Sequence, residues 1–365
     1  MATKNKNITS WMTTHPGTIL KYELEEREIS QKDFAEMIGM QKSHLNELIK
    51  CKRPMTKSIA DKIEDVLGIS SVSLVNLQTQ YEYNLRKTEE KSVEEQSAIN
   101  SLKLYDEIFD VKTLLKRFFL TMQSAVEKIR YFKEQALIPE PAELQMEVEG
   151  MFKKSSKTGQ DPRMLMTWKI LAETTARKQN ATGSFSVGNR DVLIKNLSQI
   201  LHKNTNTIEL IHYILSENGI VFCIEEKVDK ASVDGYSFIE NGTPYIVLTK
   251  RYDRIDNFAF ALLHEIGHIY LHYLDGTESD YKLSIPDYDN ESPEEKEANE
   301  FATNALIPNI EWKKSPKVRL NPITIQKEYT QWAEEKKLNK WIVLGRISYE
   351  TGMYRFRSDE NRRIG

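Results

Sequence analysis

Cysteine is scarce: only Cys51 and Cys223 occur in 365 residues. They lie far apart in the sequence, so a disulfide framework and a cysteine-held zinc are both excluded, and the cytoplasm is the expected compartment. No apolar run approaches the roughly 18 residues needed to span a bilayer. The amino-terminal stretch up to Gly17 lacks the apolar segment of an export signal, so no membrane partner is expected. A strong charge of one sign is missing too. A net charge of −3 is not that of a general polyanion binder, and any nucleic-acid affinity must come from a local patch. No internal repeat is visible. What remains, 39% hydrophobic and 29% charged residues, fits a soluble globular chain long enough for two or three compact units.

The most informative stretch is His264-Glu265-Ile266-Gly267-His268, inside the run 256–272. Asp256 reads as an N-cap, and Phe258, Leu262, Ile266 and Ile269 recur at the spacing of a buried helical stripe. On a helix His264 and His268 stand one turn apart on one face, where two imidazole nitrogens can converge on a single ion about 2.0 Å from each. Glu265 lies beside that face, placed to take a proton from water on the metal and pass it to a leaving amine, the general base and acid of a zinc peptidase.

Two histidines need a third ligand. No histidine follows His268 at the spacing of a three-histidine site, and His272, one turn on, sits too near in sequence to close a tetrahedron easily; it reads either as a helix-end histidine or as one that supports a ligand or faces substrate. Downstream, Ser292 as N-cap and Pro293 as first helical residue open a second helix. Its positions 295, 298, 299, 302, 305 and 306 share a face that reads Glu, Ala, Asn, Ala, Ala, Leu. The alanines permit close approach to the first helix, Glu295 can complete the metal shell, and Asn299 can orient a ligating histidine. Spacing alone leaves this open, because Ser292-x-x-Glu295 is also a capping-box pattern and Glu294 is the next candidate.

The stretch 258–272, with Glu295-Lys-Glu-Ala-Asn-Glu-Phe-Ala302 and Leu306-Ile-Pro308, resembles the ImmA/IrrE family of bacterial zinc metallo-endopeptidases over roughly residue 160 to the end. That resemblance implies an α+β zincin-like domain of the gluzincin kind, with Zn²⁺ held by His264, His268 and Glu295, the glutamate three before the Ala-Asn pair. It also implies a narrow protein substrate, typically a repressor or regulatory partner, or the chain itself.

Residues 15–70 read as five short helices: 17–27, one capped by Ser30, 42–50 after a turn at Gly39, 56–67, and one from Ser70. Two short helices joined by a glycine turn are helix-turn-helix geometry, the second placed for the major groove. Gln41, Lys42, Ser43 and Asn46 are expected to face outward, and Gln31 to meet a phosphate. The stretch 15–70 holds seven Lys and two Arg against seven Glu and three Asp. Residues 40–57, however, hold Lys42, Lys50, Lys52, Arg53 and Lys57 against Glu47 alone, which gathers positive charge on the proposed DNA face. The stretch 15–82 also resembles HigA-type antitoxins of the XRE helix-turn-helix family. This implies a lambda-repressor-like domain that dimerises on palindromic double-stranded operators and partners a HigB-like ribonuclease toxin. The family's fifth-helix tryptophan is replaced here by Leu74 or Val75.

The charged stretch 84–98 reads as a solvated helix end or linker, and 102–135 as a packing helix pair carrying Leu114, Leu115, Phe118, Phe119 and Met122. Helices are expected over 164–178, 191–202 and 206–216, and a strand over 220–224. His202 and His212 are taken as core or surface residues. A hairpin turning at Asn241-Gly242 joins strands 235–240 and 244–249, with Tyr245–Leu248 as the edge where an extended substrate would add. A last helix is expected around 327–336. The segment 341–346 resembles the tail of HigA and peptidase fusion proteins, and its Arg346 is expected in an ion pair rather than on a substrate carboxylate. The fold expected is mainly α with a small sheet: a DNA-binding domain over 1–80, a helical linker over 81–155 and a metallopeptidase domain over 156–365. The function expected is a DNA-binding regulator with a zinc endopeptidase domain. The alternative is a HigA-type antitoxin or repressor whose peptidase-like domain senses a signal or binds a partner without hydrolysis.

Overall fold

The computed structural model describes residues 14–118, 121–122, 124–145, 160–273, 292–319, 321–359 and 362–365. Its contacts divide the chain into two compact units, Met1–Ile99 and Asn100–Gly365.

In the first unit, helix α1 (Pro16–Glu26) opens on His15, whose Nδ1 accepts from the Gly17 amide, with proline at the first helical position. Helix α2 (Gln31–Met37) is capped by Ser30. Gly39 turns the chain in the left-handed region into α3 (Lys42–Ile49). Thr56 caps α4 (Lys57–Leu67), and α5 spans Ser71–Ile108. Leu20, Phe34, Leu45, Leu48, Ile63 and Leu74 form the apolar centre, with Val75 packed against it. The stretch 84–98 lies inside α5 and does not end it. With no apolar stripe to bury, it is supported by neighbouring-turn pairs such as Gln80 with Asn84 and Arg86 with Glu90.

The second unit has two cores on opposite faces of one three-stranded sheet. Strands β1 (Val221–Glu225), β2 (Gly235–Glu240) and β3 (Thr243–Thr249) take the order β1-β3-β2. β1 runs parallel to β3, and β2 is its antiparallel hairpin partner. The hairpin turns through Asn241 and Gly242, both at positive φ, as the sequence leads one to expect. Tyr245–Leu248 is not an edge: β3 is the middle strand, paired on both sides, because the parallel β1 covers the side that a lone hairpin would leave open.

One core lies under α6 (Val111–Arg117), α7 (Ala125–Glu134) and α8 (Pro162–Ala176). Tyr105, Phe109 and Phe132 meet there ring to ring, and Val247 faces it from β3. Leu114 is buried in this core with Leu115 and Phe118 against it, so the expected linker from residue 100 on belongs to the second unit. Phe119 lies outside the described residues, as do residues 1–13. The other core takes Ile246 and Leu248 from β3, the alternation expected of a strand covered on both faces. It is built by α9 (Arg190–Lys203), α10 (Thr207–Glu217), α11 (Ile255–Leu271), α12 (Pro293–Leu306), the single turn α13 (Asn309–Trp312), α14 (Pro322–Lys336) and α15 (Lys340–Thr351).

Candidate metal centre and nucleic-acid interface

Helix α11 carries the His-Glu-x-x-His stretch through the middle of the second unit, with Phe258, Leu262, Ile266 and Ile269 in the core. Its N-cap is Arg254, two residues before the expected Asp256. Asp256 is drawn away from capping by two guanidinium groups, those of Arg254 and Arg362.

Helix α12 is capped by Ser292, whose Oγ accepts from the Glu295 amide at 3.3 Å. Ala298 and Ala302 are fully buried against α11. A Cβ added at Gly267 would lie 3.3 Å from the Ala298 Cα and 3.1 Å from the Phe301 ring, so the glycine and the alanines set how closely the helices approach. That approach brings the Glu295 carboxylate to 3.3 Å from His264 Nε2 and 3.6 Å from His268 Nε2.

The two Nε2 atoms lie 3.0 Å apart. Asn299 Oδ1 stands 2.8 Å from His264 Nδ1. An amide oxygen only accepts, so that nitrogen carries the hydrogen and Nε2 of the neutral ring presents a lone pair. Two nitrogens each about 2.0 Å from one ion stand roughly 3 Å apart, so the donor set suits a divalent cation such as zinc, with room for water as a further ligand. Burial drives the His268 pKa down to about 3, helped by the neighbouring His264. At His264 burial also opposes charge, but the Glu295 bond and the Glu265 charge outweigh it, and its pKa is raised.

Glu265 is 1% exposed and accepts from the Ser237 hydroxyl at 2.6 Å. A Cβ at Gly235 would fall 2.7 Å from Glu265 Oε1, so the first residue of β2 must be glycine for the carboxylate to lie against the strand. Neither Gly235 nor Ser237 is signalled by the sequence, because their role depends on β2 lying beside α11. Asp234, at the same strand end, has its pKa raised by burial, with Arg251 and His264 pulling the other way. From this corner a cleft of about 800 Å³ extends along α11 and α12 to α15, lined among others by Phe260, Ala261, Asn299, Thr303, Ile342 and Tyr349.

His272, at the C-cap of α11, bonds both His268 and Glu297. His202 is half-buried beside the core: Nε2 meets the Leu306 carbonyl, Nδ1 accepts from the Asn339 amide, and burial lowers its pKa. His212 is exposed. Arg346 pairs with Glu350, donates to the Ile307 carbonyl at the end of α12 and stacks over Trp312.

In the first unit, Gln41 is the N-cap of α3, and Gln41, Lys42, Ser43, Lys50 and Lys52 are exposed, while Gln31, Asn46 and Arg53 are half-buried. Arg53 donates from Nε to Glu47 at 3.0 Å, so the lone acid of this surface restrains one of its cations. Behind the surface, buried His15 caps α1, bonds the Arg53 backbone and meets the Tyr81 ring edge-on; burial lowers its pKa.

Residues 20–74 match the family model described as helix-turn-helix, and residues 215–337 the peptidase family described as the IrrE N-terminal-like domain. Among solved structures, an antidote protein of a plasmid maintenance system from Nostoc punctiforme is 28% identical, covering 22% of this chain and 89% of its own, with a TM-score of 0.20. An addiction module antidote protein of a HigA family from Coxiella burnetii is 24% identical with the same coverages and TM-score. A search of curated proteins finds no match.

Proposed function

We propose that this chain, which carries a helix-turn-helix domain and an IrrE-like peptidase domain, is a cytoplasmic regulator that binds operator DNA as a dimer of its first unit and cuts a regulatory protein with zinc. The observation that supports this best is that His264, His268 and Glu295 bring ligand atoms within 4.8 Å of one another beside Glu265, on a cleft of about 800 Å³.

Zinc held there supplies Lewis-acid chemistry, acidifying water and polarising a carbonyl. The chain's own groups do the rest. Asn299 fixes the His264 ring. Glu265, steadied by Ser237, receives the proton of the attacking water and returns it to the leaving amine. The walls of the cleft hold the peptide across these groups.

The test compares wild type with Glu265→Gln, both zinc-loaded, on a peptide library derived from a bacterial proteome, with new termini read by mass spectrometry. Both proteins should hold zinc, and the variant should cut at least about a hundredfold more slowly. Cleavage by the variant at the wild-type rate sinks the assignment of Glu265. Zinc and operator binding without cleavage by the wild type would favour the second reading, a repressor whose peptidase-like domain is a sensor.

A further inference from the structure

His264 and His268 are steadied differently at the nitrogen that faces away from the proposed metal position. For His264 the partner there is the side chain of Asn299. For His268 the support is a two-step relay that ends at the surface. His268 Nδ1 lies 3.0 Å from His272 Nδ1, and His272 Nε2 lies 3.1 Å from a carboxylate oxygen of Glu297. The His272 side chain is 13% exposed and that of Glu297 64%.

The hydrogens along this relay can be placed by chemistry. An ionised carboxylate only accepts, so His272 donates from Nε2. The neutral ring then has a bare Nδ1, which can only accept, so His268 donates from its own Nδ1. That leaves His268 Nε2 with its lone pair directed at the point it shares with His264 and Glu295. If the His272 hydrogen moved to Nδ1, the order would reverse. His268 would accept at Nδ1, carry its hydrogen on Nε2, and present an N–H where a ligand is needed.

We propose that Glu297 is a positioning residue for the metal centre: by fixing the tautomer of His272 it fixes that of His268, and so turns a lone pair towards the ion. The inference rests on reading His264, His268 and Glu295 as the ligands. Helix α12 thereby contributes one ligand, Glu295, and one orienting group for each histidine, Asn299 and Glu297. Outer partners of this kind change metal affinity by about ten- to a hundredfold, and the exposure of Glu297 puts its effect near the lower end.

The experiment uses the full chain as wild type, Glu297→Leu, Glu297→Gln and, as a control on the same helix, Glu300→Gln. Two quantities are read: the ¹⁵N shifts of the histidine ring nitrogens in metal-free protein, which report tautomers, and zinc affinity by competition with a chromophoric chelator. Wild type should show His272 with hydrogen on Nε2 and His268 with hydrogen on Nδ1. Glu297→Leu should mix the tautomers at both rings and weaken zinc about tenfold. Glu297→Gln, whose amide oxygen still accepts, should keep the tautomers and most of the affinity, which separates hydrogen-bond direction from charge. Unchanged tautomers in Glu297→Leu, or equal losses of affinity in the leucine, glutamine and Glu300 variants, overturn the proposal and leave the ligand set standing. If the wild type takes up no zinc, the reading of the centre fails, and the ring shifts then decide the relay by themselves.

Discussion

The first unit and the proposed metal centre use buried histidine to opposite ends. In the first, both nitrogens of His15 are engaged with backbone, the Gly17 amide on one side and Arg53 on the other. His202 in the second unit is held in the same way, between the Leu306 carbonyl and the Asn339 amide. His264 and His268 instead have one nitrogen tied to a side chain and the other turned to a shared point. Backbone partners on both nitrogens leave a ring nothing to offer a ligand, whereas one oriented nitrogen prepares the other for a metal. The number of histidines in a fold therefore says less than where each ring spends its second nitrogen.

The strongest way to break this contrast is to take the cation away. At a zinc concentration about a thousand times its dissociation constant, bound metal stabilises the fold that holds it by roughly 4 kcal/mol. A chelator should lower the unfolding transition of the second unit and leave that of the first unmoved, as differential scanning calorimetry would show. A shift of the first unit alone would place the metal elsewhere.

Next in size, His202→Ala should cost about 1–3 kcal/mol in urea unfolding, because it takes the partner from a part-buried carbonyl and a part-buried amide, while zinc content stays at the wild-type value. His268→Ala should lose zinc and keep its secondary structure. If His202→Ala loses zinc, or His268→Ala retains it, the distinction between the two kinds of histidine collapses.

A smaller effect is expected at His15. Replacement by alanine removes an N-cap, worth about 1–2 kcal/mol to the first unit, and should weaken operator binding without touching zinc content. The smallest is a pH effect. The folded-state pKa of His15 is lowered by burial, with the Arg53 backbone and Glu82 opposing, so the unfolded chain takes up the proton first. The stability it lends the first unit is complete above its unfolded value of about 6.5 and is lost as pH falls through the lowered folded value. Urea titrations followed by first-unit NMR resonances at about pH 7.5 and about pH 5 should show the fall. His15→Asn, which caps without titrating, should flatten it.

What was legible in the sequence was what local spacing encodes. His264, Glu265 and His268 lie within one helical turn, so their convergence follows from the helix alone. The caps Ser30 and Ser292 were readable for the same reason, as was the Asn241-Gly242 turn. Glu295 was poised between two roles on spacing, and only the approach of α12 to α11 turns its carboxylate to the histidines while Ser292 does the capping. Ser237, Gly235 and Glu297 carried no signal, since each acts across elements that only the fold brings together. The middle position of β3 was missed because a hairpin read along the chain cannot show that β1, 24 residues earlier by the register Val221↔Tyr245, lies on its far side. Asp256 was misplaced as a cap because its partner Arg362 stands more than a hundred residues away in the chain.

The contact between Gly267 and Ala298 also bears on the span of the metal centre. The separation of His268 from Glu295 is set by two packed helix surfaces, so a side chain at 267 that touches no ligand atom would still push the two helices, and with them the histidine and the carboxylate, apart.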